Sequence, residues 1–213
     1  FRIHQELSVP DVVKKVFRDA GLAEDLFRWS VGSYPARAYV VQYDESEWDF
    51  VSRLLEEEGI SYAWEHTEER CVMVLFDATG ACKPLAEDAL RFDDSGARHG
   101  ALRAWSLREF ARACERRAAV NDYNPQTPAT DLFARHEADE GVDREWYEPW
   151  SRYGEVAQGK RLARVRLEEL RARGHSFTLE TNALAAQCGR TFELLEHETA
   201  SGDYVITGTT LRA

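Results

Sequence analysis

The 213-residue sequence has only four cysteines, and their spacing suits neither metal nor redox chemistry. Cys71, Cys82, Cys114 and Cys188 are scattered without a C-x-x-C pair, and closely spaced thiols are what a zinc site or a thioredoxin-like motif requires. Reduced structural thiols are the expectation, with Cys71 acting as a small hydrophobe in the apolar run CVMVLF. Positive charge is also short. Lys and Arg number 27 against 38 Asp and Glu, and the net charge of −11 argues against a general nucleic-acid binder and against anionic membranes. No apolar run approaches the ~20 residues of a membrane span. The start, FRIHQELSVPD, has no basic segment followed by an apolar core, so it shows no secretory signal. It also lacks an initiator Met and opens in a strand-like pattern, which gives the expectation of a piece cut from a longer protein. G-x-G-x-x-G and G-x-x-x-x-G-K-[ST] are absent, so nucleotide binding has no support.

Apolar material for a core is present at 44% of residues, in patterns that switch between helical and strand periods. ELSVPDVVKKVFRDAGL predicts a helix: Ser8 caps it, Asp11 follows as in a capping box, and Pro10 is tolerated in the first turn. Val9, Val12, Val13, Val16 and Phe17 recur at helical spacing, and Gly21 before Leu22 predicts a left-handed stop. ARAYVVQYD predicts a strand. A second capped helix follows, with Ser46 and Asp49 at its start and Gly59 at its end. Its predicted buried face holds Phe50, Val51, Leu54 and Leu55, joined by Trp48. ISYAWEH then leaves as a strand and pairs with RCVMVLFD across the turn TEE.

Pro84 to Gly100, with DDSG, predicts a polar loop. ALRAWSLREFARACERRAAVNDYN reads two ways: helix formers abound, yet Leu102, Ala104 and Ser106 also alternate as in a strand. NPQTPATDLFARHEADEGVDREWYEPWSRYGE, rich in turn residues and aromatics, predicts an excursion or an extended arm. VAQGKRLARVRLEELRARG predicts a helix with Ala163, Leu167 and Leu170 on one stripe and Gly174 at its end. Three strands, HSFTLETNA, RTFELLEH and DYVITGTTLR, follow with turns at QCG and ASGD.

Several clusters could pass for chemistry. Glu56, Glu57 and Glu58 are consecutive, so they point around a helix at about 100° intervals and cannot converge on one substrate. They predict a solvated acidic face whose replacement by glutamine leaves the fold intact. HEADE, His136 to Glu140, lacks the second histidine of a zinc-protease helix, Glu140 standing in its place. Asp93, Ser95 and His99 lie close together without the G-x-S-x-G turn that exposes a nucleophile. His66, His99, His175 and His197 show no ligand spacing and read as surface or strand-end residues. The aromatics of EWYEPWSRY suit packing or a protein interface better than stacking on a sugar or base. The residues therefore point to no catalytic site, no cofactor site and no metal site.

YPARAYVVQYDESEWDFVSRLLEEEGISYAWEH resembles the hallmark segment of the valine-glycine repeat protein G (VgrG) family, the spike hub of bacterial type VI secretion systems, itself similar to contractile-phage tail hub proteins. Tyr34, Pro35, Arg37, Tyr39, Gln42, Tyr43, Glu45, Ser46, Asp49, Phe50, Val51, Arg53, Leu54, Glu57, Gly59, Ile60 and Tyr62 carry the match. SVPDVVKKVFRDAGL, DYNPQTPATDL and GKRLARVRLEELRARGHSFTLETNALAAQCGRTFELLEH follow the family's order, with the region from Lys83 to Glu155 weaker. Cys188 stands where the family commonly has proline before the glycine at Gly189, a departure that weakens the match at that turn.

The resemblance implies an α+β chain: an α/β region with two capped helices over residues 1–100, then an antiparallel β-barrel-like domain of the phage tail hub type over 101–213. The second domain would carry an inserted arm (124–155) and one long helix (156–173). The implied function is structural, as the hub of a trimeric cell-puncturing spike. Its implied partners are the homotrimer, the hexameric secretion tube protein, baseplate proteins and effectors or adaptors, with no nucleic acid and no membrane-spanning segment. The implied location is the bacterial cytoplasm during assembly, followed by secretion through the contractile machine. A tail hub of a contractile phage or an extracellular injection particle is the alternative within this class. A cytoplasmic enzyme of unknown reaction is the alternative outside it.

Overall fold

Ser8 and Ser46 start the two helices of the first half, and a computed structural model of the chain shows what those helices bury. It describes residues 1–95 and 102–212, apart from the side chains of Glu87 and Asp88. His99 and the end of the expected polar loop lie outside the described residues.

The chain begins with β1 (Arg2–Leu7), α1 (Val9–Asp19), β2 (Phe27–Ser30), β3 (Arg37–Gln42), α2 (Glu47–Glu58), β4 (Ser61–His66) and β5 (Cys71–Phe76). Next come β6 (Lys83–Phe92), β7 (Arg103–Ala111), β8 (Glu115–Asn121), β9 (Ala134–Glu137) and β10 (Val142–Pro149). It continues through α3 (Val156–Ala172), β11 (His175–Thr181), β12 (Arg190–Leu195) and β13 (Gly202–Val205). Both early helices are capped alike. The serine Oγ accepts from the backbone N–H of Asp11 (3.4 Å) or Asp49 (3.1 Å), and donates its proton to that aspartate's carboxylate at 2.6 Å. Gly59, at φ +72, lets the Ile60 N–H reach the Leu55 carbonyl at 2.8 Å and closes α2.

Two compact units emerge: Phe1–Leu107 with Leu179–Ala213, and Arg108–Thr178. This grouping differs from a boundary at residue 100, because β12 pairs with β6 of the first half. In the first unit β1 and β3 form an antiparallel pair, and β2, β5 and β4 form a sheet with β2 parallel and β4 antiparallel to β5. Val9, Val12, Val13, Val16 and Phe17 of α1 meet Phe50, Val51, Leu54 and Leu55 of α2 in one core with Val40, Ile60, Met73 and Leu75. Trp48 departs from the expected face: it is 43% exposed and stands edge-on to Tyr62 at 5.4 Å. Met73, Val74 and Leu75 are buried in succession, so both faces of β5 are covered.

A further sheet runs β11-β7-β6-β12-β13, with β6 parallel to both β7 and β12 and β13 antiparallel to β12. Here the expected loop from Pro84 is corrected. Lys83–Phe92 is a strand with Leu85 and Leu90 buried, Pro84 sitting near its start where a missing N–H is tolerated. The ambiguous segment also resolves as strand, in β7 and β8. Its helix formers give way to pairing with distant partners.

In the second unit β9 runs antiparallel and β10 parallel to β8, one on each side. Residues 138–141 therefore cross the end of β8, held by Ala138 N–H to the Arg116 carbonyl and Val142 N–H to the Cys114 carbonyl, both 2.9 Å. Gly141 makes the crossing at φ +138, where a Cβ would stand 3.0 Å from the Cys114 carbonyl oxygen. On this sheet lies α3, with Leu162 and Ala163 packed against Val120, Leu132, Ala134 and Tyr153. The expected excursion thus supplies two strands of a sheet.

Phe50→Ala and Leu54→Ala are each expected to lower unfolding free energy by roughly 2–5 kcal/mol, because both side chains are fully buried. Trp48→Ala is expected to cost about 1 kcal/mol or less. Urea unfolding of the three variants checks the ranking.

Candidate functional site

The segment Arg37 to His66 folds as β3, α2 and β4, and its charges meet where β3 contacts the C-terminal turn of α2. Arg37 donates from Nη1 to Glu57 Oε2 at 2.6 Å and from Nη2 to Glu58 Oε1 at 2.5 Å. One turn back on α2, Arg53 donates from Nη1 to Glu57 Oε1 at 3.0 Å. Its Nε and Nη2 hold both oxygens of Glu45 at 3.2 and 2.6 Å, and Nη2 also reaches the Val41 carbonyl at 3.2 Å. Two arginines and three glutamates form one continuous seam.

The seam overturns the expected solvated acidic face. Consecutive residues do point around the helix, but this sends only Glu56 outward; Glu57 is half-buried and Glu58 is 3% exposed. Their counter-charge, Arg37, lies twenty residues away, beyond the reach of any local spacing rule.

The electrostatics are those of a clasp. Burial alone would raise the Glu57 carboxyl, but hydrogen bonds and charge from Arg37, then Arg53, hold it below the ordinary carboxylate value. The Arg53 hydrogen bond chiefly lowers Glu45. Burial would lower Arg37, and Glu58 and Glu57 outweigh it and push it up. A general acid at neutral pH needs its carboxyl raised, and those of Glu57 and Glu45 are driven the other way.

The remaining candidates are dispersed. His136 lies on strand β9, not on a helix, and a backbone carbonyl of Glu140 accepts from Arg171. Asp93 accepts from the Ser95 N–H at 2.9 Å and pairs with Arg103 at 3.2 Å, an arrangement that orders a turn. His197 Nδ1 accepts from the N–H groups of Thr199 (3.2 Å) and Ala200 (3.0 Å), capping another turn. His175 meets Glu109 at 2.7 Å, and His66 lies 3.9 Å from the Cys71 sulfur. In EWYEPWSRY, Glu145 pairs with Arg135 and Glu148 with Arg166, while the buried Tyr153 donates to the Leu132 carbonyl. Burial, then the charge of Asp122, pushes that phenol up to about 12. Among the described residues no three His, Cys, Asp or Glu side chains are grouped to hold a metal ion. No described helix is long and apolar enough to cross a membrane.

One residue escaped sequence reasoning. His4 is 3% exposed, stacks on Phe50 at 5.8 Å, and has no hydrogen-bond partner on either ring nitrogen among the described residues. Nothing in RIHQEL marks it, since its apolar neighbour Ile3 is the one left 67% exposed. Burial, then the charges of Lys15 and Arg2 against the opposing Asp19, lower its pKa below the ordinary 6.5.

With this geometry in place, the profile of the phage tail baseplate hub (GPD) family matches residues 1–213. The chain belongs to that family. Within it, the type VI secretion system spike protein VgrG1b of Pseudomonas aeruginosa is 32% identical over 99% of this chain and 29% of its own length. The hub chain thus spans less than a third of that relative. Among solved structures, the E. coli c3393 protein, described as a component of the type VI secretion system, superposes with a TM-score of 0.63 at 18% identity. That match covers 92% of this chain and 41% of the other. A tail protein from Neisseria meningitidis gives 0.63 at 12% identity, over 97% and 62%. At these identities the structures attest the hub fold, including its α+β class.

Arg37→Ala is expected to cost roughly 2–4 kcal/mol, because it strands a buried carboxylate, while Glu56→Gln stays within about 0.5 kcal/mol. Thermal unfolding at neutral pH separates them.

A pH series tests His4 and the seam together. The folded pKa of His4 lies below 6.5, so the unfolded chain binds the proton first, and stability complete above pH 6.5 falls as pH drops below it. Glu57 and Glu45 add a second loss as pH falls below 4.5, since their folded pKa values lie under that figure. Melting temperatures from pH 8 to 3 should show both phases, and His4→Phe should flatten the upper one alone.

Proposed function

We propose that this chain is a structural hub segment of the cell-puncturing spike of a type VI secretion system. The observation that carries the reading is the hub-family match across all 213 residues, joined by the spike-protein relative at 32% identity. The seam supports it: the carboxylate cluster that most resembles an active site is neutralised by arginines and ties a strand to a helix. A part that transmits force needs such internal ties more than a reactive pocket. In this reading the chain carries no catalytic residue and needs no cofactor. It acts within a homotrimer stacked on a hexameric tube protein and contacts baseplate proteins and effectors or adaptors. Assembly takes place in the bacterial cytoplasm, and exit is through the contractile machine. The family's description as a phage tail baseplate hub favours one second reading, a tail hub of a contractile phage or a related injection particle.

An in-frame deletion of this segment from its own gene separates the two. The expected result is loss of tube protein from the culture medium with its intracellular level unchanged. Unimpaired release, with loss of tail-like particles instead, would overturn the secretion reading in favour of the second.

A further inference from the structure

We propose that the outer face of the β1–β3 pair is a docking surface for a second copy of this chain. The register puts Ile3 opposite Val41 and Gln5 opposite Tyr39, and the Phe1 and Tyr43 rings meet across the end of the pair at 4.9 Å. Side chains alternate across a strand, so these residues share one face. That face is in water: Phe1 is 85% exposed, Tyr43 73%, Tyr39 69%, Ile3 67% and Val41 37%. The opposite face buries His4, Val40 and Gln42, with His4 and Val40 in contact with the core that holds α2.

The pair thus turns two polar side chains inward and five apolar ones outward. A slip of one residue would reverse this, and polar contacts hold the register against it. Gln42 Nε2 donates to the Glu45 carbonyl at 3.1 Å, Arg2 pairs with Glu47 at 2.6 Å, and Arg53 reaches the Val41 carbonyl at 3.2 Å. A sheet with an apolar outer face completes its burial only under a further layer. Aromatic side chains present roughly 150–250 Å² each, so these three, scaled by their exposure and joined by Ile3 and Val41, offer roughly 600 Å². That is the top of the range for a monomer's largest apolar patch, about 300–600 Å², and most of the roughly 800 Å² that a standard interface buries on each partner.

Charge selects the occupant. The chain carries a net charge of −11, yet the face from Phe1 to Gln5 and Tyr39 to Tyr43 is uncharged, its polar groups being one amide and two phenols. Copies of an acidic chain repel wherever their charges meet and join most readily where charge is absent. A basic partner or a nucleic acid gains nothing from such a face. The same unit carries a second uncharged group that a neighbouring copy can offer: Trp48, Tyr62 and Trp64, each 40–43% exposed. Contact between unlike patches of identical copies runs head to tail, and it closes into a ring where the rotation between neighbours allows. The number of copies rests on the hub reading and its homotrimer, whereas the face rests on register, exposure and charge.

Light scattering on the whole chain, from about 1 to 200 µM, is the test. The mass should climb from 24.4 kDa toward three times that value as concentration rises. Hydroxyl-radical labelling of Phe1, Tyr39, Tyr43 and Trp48 should fall over the same series, while that of the exposed Leu184 and Leu211 stays constant. Ile3→Glu and Tyr39→Glu, both at exposed positions, should hold the mass at 24.4 kDa with melting temperatures within about 3 °C of the parent. Ile3→Thr, which keeps the strand preference and adds no charge, should weaken association roughly tenfold. A trimer that these variants leave intact would overturn the face and keep the homotrimer. A dimer that they dissolve would support the face and overturn the threefold reading. A mass of 24.4 kDa at every concentration, or rings protected by neutral phosphatidylcholine vesicles instead, would overturn the proposal.

Discussion

Glu58 brings a carboxylate to the last turn of α2, where water is excluded and the helix dipole disfavours negative charge, and the Arg37 guanidinium offsets both. That requirement positions much of the first unit. Arg37 stands on β3, so the strand must lie against the end of α2. Because β3 pairs with β1, the pair is carried along, and Val40 and His4 come to the side where Phe50 packs. Arg53 extends the same constraint backward, joining Glu57 to Glu45 and to the backbone of β3. The apolar core supplies most of the driving force, and the seam selects which way the strand pair sits on it.

The second unit uses a looser version of the same device. Across β8, β9 and β10, Arg117 meets Asp143, Arg135 meets Glu145, and Arg116 meets Glu137, all at 2.5–2.9 Å. These pairs are largely exposed and contribute little individually. Arg166 is different: it is 16% exposed and connects α3 to β10 through Glu148. A chain with 31% charged residues and a net charge of −11 thus directs its scarcer cations to positions where they hold elements together. That distribution explains why clusters rich in carboxylates look reactive in the sequence and behave as fasteners in the fold.

The seam also clarifies what family membership carries. Arg37, Glu45, Arg53 and Glu57 are among the residues on which the resemblance to the spike hub family rests, and in the structure they form one connected group. The signature of the segment is therefore an architectural one. The match takes in 29% of the VgrG1b relative, and what the rest of that protein adds is not part of these 213 residues.

Most of what depends on near neighbours was legible in the sequence, Trp48 being an exception. The serine caps, the glycine stops, the apolar stripes of α1 and α2 and the β4–β5 hairpin are set by residues within a few positions of each other. The three closing strands were legible for the same reason, although the last of them, expected over DYVITGTTLR, ends at Val205. Tertiary structure decided the rest. β6 is a strand because β12, a hundred residues later, pairs with it, and residues 134–149 join a sheet because β8 lies between their two strands. Glu58 is buried because Arg37 arrives from another element, and His4 is buried because α2 covers its face of β1. Local sequence determines which conformation a segment prefers. Burial and ion pairing are properties of what packs against it, and that is settled only when distant segments meet.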